Sequence, residues 1–224
     1  MSGHTAERWS GKEWAVRLVI LTAGLVIAHL GVTLFLLSRL GADPFNVFVQ
    51  GVFVKAGPLL PEDFLTHGRT HIALSLCIIA VLLIVDRSYI KAGTLICMTC
   101  GGPIIDFFTW LLTFLLPEDQ PFPGRLVMLV LGCLILAYGM TIVITSKAGT
   151  GPNDLVAVVI ADKTRRKFGI IRLIVDLAFA LTGFALGGVL GLGTIVCSAL
   201  VGPVAGIFMP LNEKHITALV QRVR

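Results

Sequence analysis

An all-α fold, that of a polytopic helical membrane protein, is predicted from three observations on this 224-residue chain. Hydrophobic residues make up 56% and charged residues only 14%, where a soluble domain carries about 25% charge. The charge is missing in blocks. Leu126–Thr145 and Gly193–Pro210 hold no charged side chain, and about 18–20 such residues span a bilayer core as helix. The apolar runs are also continuous rather than alternating. Backbone in hydrocarbon must satisfy its own N–H and C=O groups, so continuous runs predict helices rather than a barrel.

Six long transmembrane helices follow in order, over 14–38, 70–86, 93–116, 125–146, 169–190 and 193–210. The first is too long for a signal h-region and lacks a clear small-residue cleavage site, so it is kept as a span. Two short apolar pieces, Pro44–Lys55 and Pro152–Ala161, follow the first and fourth helices. At about 15–18 Å as helix they are short for a crossing, and read as half or broken helices. The chain thus divides into a cytoplasmic N-terminal segment 1–13, a first membrane repeat 14–116, a loop 117–124, a second repeat 125–210 and a cytoplasmic tail 211–224.

The two-fold internal repeat rests on glycine, proline and polar positions. Gly24, Ile27, Gly31, Thr33, Ser38, Gly41 and Pro44 fall on Gly132, Ile135, Gly139, Thr141, Ser146, Gly149 and Pro152. Asn46 meets Asp154. Gly93, Thr94, Cys97, Gly102, Pro103 and Phe108 fall on Gly193, Thr194, Cys197, Gly202, Pro203 and Phe208. Duplicated units are common in transporters, with sites at the repeat interface near broken helices.

The positive-inside rule places both termini in the cytoplasm. With three crossings per half, the outside keeps only Arg39, Lys55, Arg69 and Arg125; with four, only Arg39, Arg87, Lys91 and Lys147. Charge therefore leaves open whether the halves are inverted or parallel. The net charge of +5 does not mark a nucleic-acid binder, because its basic residues lie between apolar runs rather than along a soluble stripe. Lys163, Arg165, Arg166 and Lys167 read as a cytoplasmic loop touching anionic lipid. All five cysteines lie in apolar segments, which excludes a secreted disulfide framework.

Candidate chemistry sits at the breaks. Gly41 and Gly149 suit the left-handed end of a helix, and Pro44 and Pro152 the first turn of the next. Asp43 is placed to cap, and Asn153 and Asp154 favour the positive helix end, with Gly151 just before it. Such a break either binds an anionic group or is a capped turn without ligand. Gly93, Thr94 and Pro103, with Gly193, Thr194 and Pro203, read as packing positions or as kinks lining a cavity.

Asp106 and Asp176 are intramembrane carboxylates and hence site candidates. Asp176 follows Arg172 by four, so a local ion pair near the membrane surface is the alternative; Asp106 lacks an opposite charge in its own helix. His29, about mid-span, suits proton transfer, substrate binding or an interhelical hydrogen bond, and Tyr138 is assigned to the same cavity. Substrate binding is therefore expected from His29, Asp43, Asn46, Asp106, Asn153, Asp154 and Asp176. The Cys97-x-x-Cys100 spacing lacks further ligands, and no Walker, G-x-S-x-G or H-E-x-x-H motif occurs. No cofactor, metal or enzymatic activity is expected.

The strings Gly149-Thr150-Gly151-Pro152-Asn153-Asp154, Phe168-Gly169-Ile170-Ile171-Arg172, Gly187-Gly188, Gly191-Leu192-Gly193-Thr194 and Gly202-Pro203 resemble the YczE/YyaS/YitT group of bacterial membrane proteins, closest to its YczE-like branch. The first half departs from that pattern, with Asp43-Pro44-Phe45-Asn46 in place of the fuller glycine string. The resemblance implies a multi-pass protein of the bacterial inner membrane and supplies no substrate. The expected function is a small secondary transporter or exporter of a small molecule or ion, with its site between the repeats. The alternative is a non-transporting scaffold, assembly factor or regulatory partner, as a homo-oligomer or beside another membrane protein.

Overall fold

The computed structural model describes residues 9–59, 65, 67–116 and 120–223, without the side chains of 67 and 68. Arg8 and Arg224, counted among the cytoplasmic charges, lie outside them. Among the described residues the regular structure is helical: α1 Gly11–Leu37, α2 Pro44–Ala56, α3 His67–Asp86, α4 Ala92–Leu115, α5 Phe122–Thr145, α6 Pro152–Thr164, α7 Phe168–Ala185 and α8 Leu192–Gln221. Six of these (α1, α3, α4, α5, α7 and α8) are long and apolar enough to cross a membrane. The protein is a multi-pass membrane protein whose solvent is lipid.

The centre is the α1–α5 crossing, where glycines let two backbones touch. A Cβ at Gly31 would lie 2.3 Å from the Leu136 nitrogen, and one at Gly139 would lie 2.3 Å from the Ala28 nitrogen. Small residues are what permits this approach in lipid, where helix association relies on close packing. Gly24 lies against Val143 and Gly31 against Gly132, so the two helices run antiparallel. On α5, Leu129, Cys133 and Ala137 continue into a core shared with Cys197, Val201 and Ala205 of α8.

Each end of the crossing is tied by an arginine reaching the partner helix's last turn. The Arg17 Nη1 donates to the Ser146 carbonyl at 2.9 Å. Arg125 donates to the Ser38 carbonyl at 2.7 Å and to the Arg39 carbonyl at 2.6 Å. The loops beyond are matched likewise. Gly93 N–H donates to the Ala148 carbonyl at 3.0 Å, and Gly193 N–H to the Leu40 carbonyl at 2.7 Å. Arg39 and Lys147 adopt positive φ of 53° and 61°, followed by Gly41 at 147° and Gly149 at 137°. A β-carbon is strained there, which is why glycine ends both breaks.

These ties define two ends of the molecule, an Arg17 end and an Arg125 end. α2 begins beside Gly191 and Thr194 through Gly41, and its last turn meets Gly187 through Val54. Both contacts belong to the Arg125 end. α6 begins beside Gly93 and Thr94 through Gly149 and finishes with Lys163 3.5 Å from Asp86, at the Arg17 end. Neither short helix crosses; each returns to the side it left. With six spans, Gly11 and Gln221 share the Arg17 end, where Ile216 and Val220 pack on Ile20.

Among the boundaries that differ from the sequence reading, three have a visible cause. α8 does not stop at 210 but continues through Pro210 to Gln221. The lost N–H bond is offset by Asn212 Nδ2 donating to the Thr141 hydroxyl at 2.7 Å and by the Ile216 and Val220 contacts. α7 stops at Ala185, because Gly187 turns at φ 101° and Gly188 N–H returns to the Gly183 carbonyl at 2.8 Å. α1 starts at Gly11, capped by the Ser10 hydroxyl. Packing is uneven: only 11% of the membrane windows of α3 and of α4 is buried, against 50% for α5.

Candidate functional site

The short helices begin inside the structure, and their first turns carry the polar residues. In α2, the Asp43 carboxylate caps the helix by accepting from the Asn46 N–H at 3.2 Å, while the Asn46 amide donates to its second oxygen. This N-terminus is filled by the chain's own carboxylate. α6 differs. Gly151 stands at its cap with no side-chain bond, and Asp154 lies in the first turn, where the helix dipole favours it.

Asp154 accepts a hydrogen bond from Arg172 Nη1, and Arg172 Nε donates to Asp176 Oδ2 at 2.9 Å. The i,i+4 spacing on α7 thus forms the pair read from the sequence, but as a buried triad with a third member on α6. The side chain of Arg172 is 9% exposed, that of Asp176 2% and that of Asp154 20%. Arginine suits this role because its fork serves two carboxylates at once.

Around the triad lie further groups. Asp43 is within electrostatic range of Asp176, and Asp154 of His29 and Cys97. His29 Nδ1 donates to the Leu25 carbonyl at 2.8 Å; a carbonyl only accepts, so Nδ1 carries the proton. Its Nε2 faces Gly101, where a Cβ would approach to 2.8 Å. The hydroxyls of Thr94 and Thr150 are buried without a hydrogen-bond partner. The corresponding hydroxyl of Thr194 donates to the Ala42 carbonyl at 2.6 Å. The uncapped start of α6 therefore offers two polar groups that the α2 side does not leave open.

Of the sequence candidates, His29, Asp43, Asn46, Asp154 and Asp176 gather in this region. Asn153 is adjacent, its Oδ1 3.2 Å from where a Gly151 Cβ would stand. Gly41, Pro44, Gly149, Gly151 and Pro152 form the breaks. Gly93, Thr94, Gly193 and Thr194 are buried at the helix starts, whereas Pro103 and Pro203 face outward. Asp106 is not brought in. Gly101 must face α1, and five residues further a helix has turned about 140°, so Asp106 is exposed on the outer face of α4. Tyr138 is also outward, 37% exposed and edge-on to Phe208 at 5.1 Å.

Sequence reasoning missed the Arg17 and Arg125 ties, although the two are separated by the same 108 residues as Gly24 and Gly132. Carrying the alignment seven residues upstream would have found them. It also missed the contact between the Cys133 and Cys197 thiols, which only helix packing creates. Chemically, the triad holds one guanidinium between two carboxylates. A proton or cation on either carboxylate releases an arginine donor, and an anion on Arg172 releases a carboxylate.

Comparison with known proteins agrees with a membrane architecture. The chain is 27% identical over 212 residues to the "Uncharacterized membrane protein YczE" of Bacillus subtilis, covering 94% of each chain. It is 25% identical to the "Uncharacterized protein YyaS" of the same organism, covering 89% of this chain and 95% of that one. An "Uncharacterized protein" of Haemophilus influenzae is 26% identical over 85% of this chain and 82% of its own. No solved structure matches significantly. Residues 15–210, which hold both breaks, the triad and all six spans up to Pro210, match one family model, so the chain belongs to the family of unknown function DUF6198.

Proposed function

We propose that this protein is a small secondary transporter or exporter of the bacterial inner membrane, built from two inverted copies of a three-span unit. Both termini and the Arg17 end face the cytoplasm. That end carries Arg17, Arg87, Lys91, Lys147 and the 163–167 cluster, as the positive-inside rule requires. The reciprocal Arg17–Ser146 and Arg125–Ser38 ties and the antiparallel α1–α5 crossing favour inversion. It acts without a chemical reaction of its own.

The observation that carries this reading is the buried Asp154–Arg172–Asp176 triad at the start of a half-helix of the second repeat, with Asp43 of the first repeat within electrostatic range of Asp176. Buried charges at a helix break mark ion and substrate pathways. Alternating access would expose the α2 start from the Arg125 side and the α6 start from the Arg17 side in turn. The test needs no known substrate. Single cysteines at Asn46 and Asn153, on a background without native cysteines, are labelled from either side of proteoliposomes with and without a pH gradient. Opposite changes at the two positions are expected. Unchanged labelling at both under any imposed gradient would refute transport by this route.

A second reading, a membrane scaffold or regulatory partner, is favoured by the outer face of α4. There Asp106 stands exposed among Phe107, Trp110 and Phe114, and a carboxylate facing lipid gains from a covering partner. A stoichiometric partner or second copy lost on Asp106→Leu would support it.

A further inference from the structure

The short-helix contacts differ between the two sides. On one, α2 meets α7 at touching backbones, with a Gly51 Cβ placed 2.2 Å from the Gly183 carbonyl oxygen. On the other, Val159 stands 108 residues after Gly51, and the larger side chains of Leu82, Leu155 and Val159 pack between α3 and α6. The result is a crevice of about 490 Å³. One wall is an α3 stripe from Leu74 to Val85, at i, i+3, i+4 and i+7 spacing. The other is the α6 face from Val156 to Thr164, and Phe48 and Phe179 close the floor.

The crevice has a direction. It runs along α3 for about 16 Å. Its deep end is aromatic, with the Phe48 and Phe179 rings 5.5 Å apart. Its other end reaches Lys163 and Thr164 at the Arg17 end. Around that rim Arg87, Lys163, Arg165, Arg166 and Lys167 outnumber Asp86 and Asp162, and Lys163 remains half-exposed despite its 3.5 Å contact with Asp86. A dry slot in a membrane-spanning surface with basic residues at its interfacial mouth matches one chemistry: an acyl chain attached to an anionic headgroup.

We infer that the crevice between α3 and α6 is a binding site for one acyl chain of an anionic phospholipid from the bilayer, its headgroup held by Lys163 and the Arg165–Lys167 cluster. The chain supplies apolar area that α3 otherwise lacks on this face, and the headgroup supplies charge to the rim. The bound lipid fills the slot between a poorly packed helix and the half-helix that carries Asp154.

The full-length protein, delipidated and then titrated with phosphatidylglycerol or phosphatidylcholine in mixed micelles, is read by native mass spectrometry. One retained phosphatidylglycerol is expected, in preference to phosphatidylcholine. That preference should fall about fivefold for each basic residue removed in Lys163→Gln and Arg166→Gln. Val81→Trp, at a wall position 57% exposed and so tolerated by the fold, should reduce retention of both lipids. Independently, phosphatidylglycerol with a photoreactive acyl chain should label 74–85 and 156–164 of the unmodified protein above the exposed α4 face. Equal labelling of α4, or unchanged lipid retention in Val81→Trp, would overturn the site. A second protein copy replacing lipid at this face would overturn it too.

Discussion

Removing the guanidinium of Arg172 tests whether the triad is one unit. Arg172→Gln leaves Asp154 and Asp176 without their shared partner, and Asp176 is 2% exposed with Arg172 Nε 2.9 Å away. Breaking a buried pair by deleting one member costs about 3–5 kcal/mol, mostly because the other charge is stranded. For a chain of this length that corresponds to roughly 6–20 °C in midpoint temperature. Arg172→Lys should fall between, since an ammonium lacks the fork that reaches α6 and α7 together. The triple variant Arg172→Met, Asp154→Asn, Asp176→Asn removes the charges together and should regain most of the loss. The assay is thermal unfolding in detergent, followed by a thiol-reactive dye on the buried cysteines. An unchanged midpoint for Arg172→Gln, or a triple variant no more stable than the single one, would refute the coupled-triad argument. The rescued triple variant should still lack the gradient-dependent changes at Asn46 and Asn153, which separates a working site from a structural clamp.

Gly31→Ala or Gly139→Ala places a Cβ 2.3 Å from partner backbone and should lower stability by about 1–3 kcal/mol, whereas Gly102→Ala, with open space around it, should change little; both are read by detergent unfolding. Cysteines at Lys55 and Lys163 should be modified by impermeant reagent from opposite sides of the membrane, and labelling from the same side would contradict the placement of α2 and α6. Asp43→Ala should cost about 1 kcal/mol through loss of the α2 cap and Asp43→Asn much less, measured as midpoint shifts. Arg125→Gln should loosen the 38–41 turn, seen as faster amide exchange there than in the unmodified protein.

Much of the site was legible because breaks are local. Gly41, Asp43 and Pro44, or Gly149, Gly151 and Pro152, show through backbone conformation and capping alone that one helix ends and another begins. Asp106, a site candidate by sequence, lies apart from the other candidates for the opposite reason. Its depth along α4 can be counted from sequence, but its direction is set by which face carries the glycine that meets α1. His29 and Gly101 decide that rotation through a contact 72 residues apart, and neither residue announces it.

The sequence by itself determined the class, the six spans and the location of both breaks, because bilayer thickness acts on each segment separately and leaves its record in local composition. The tertiary structure alone decided that α1 and α5 are antiparallel, that α2 and α6 return to the side they left, and that Asp154 completes the Arg172–Asp176 pair. Direction and facing arise from backbone contact between glycines and from ion pairs between helices. Those contacts join distant residues, and no single segment's hydropathy encodes them.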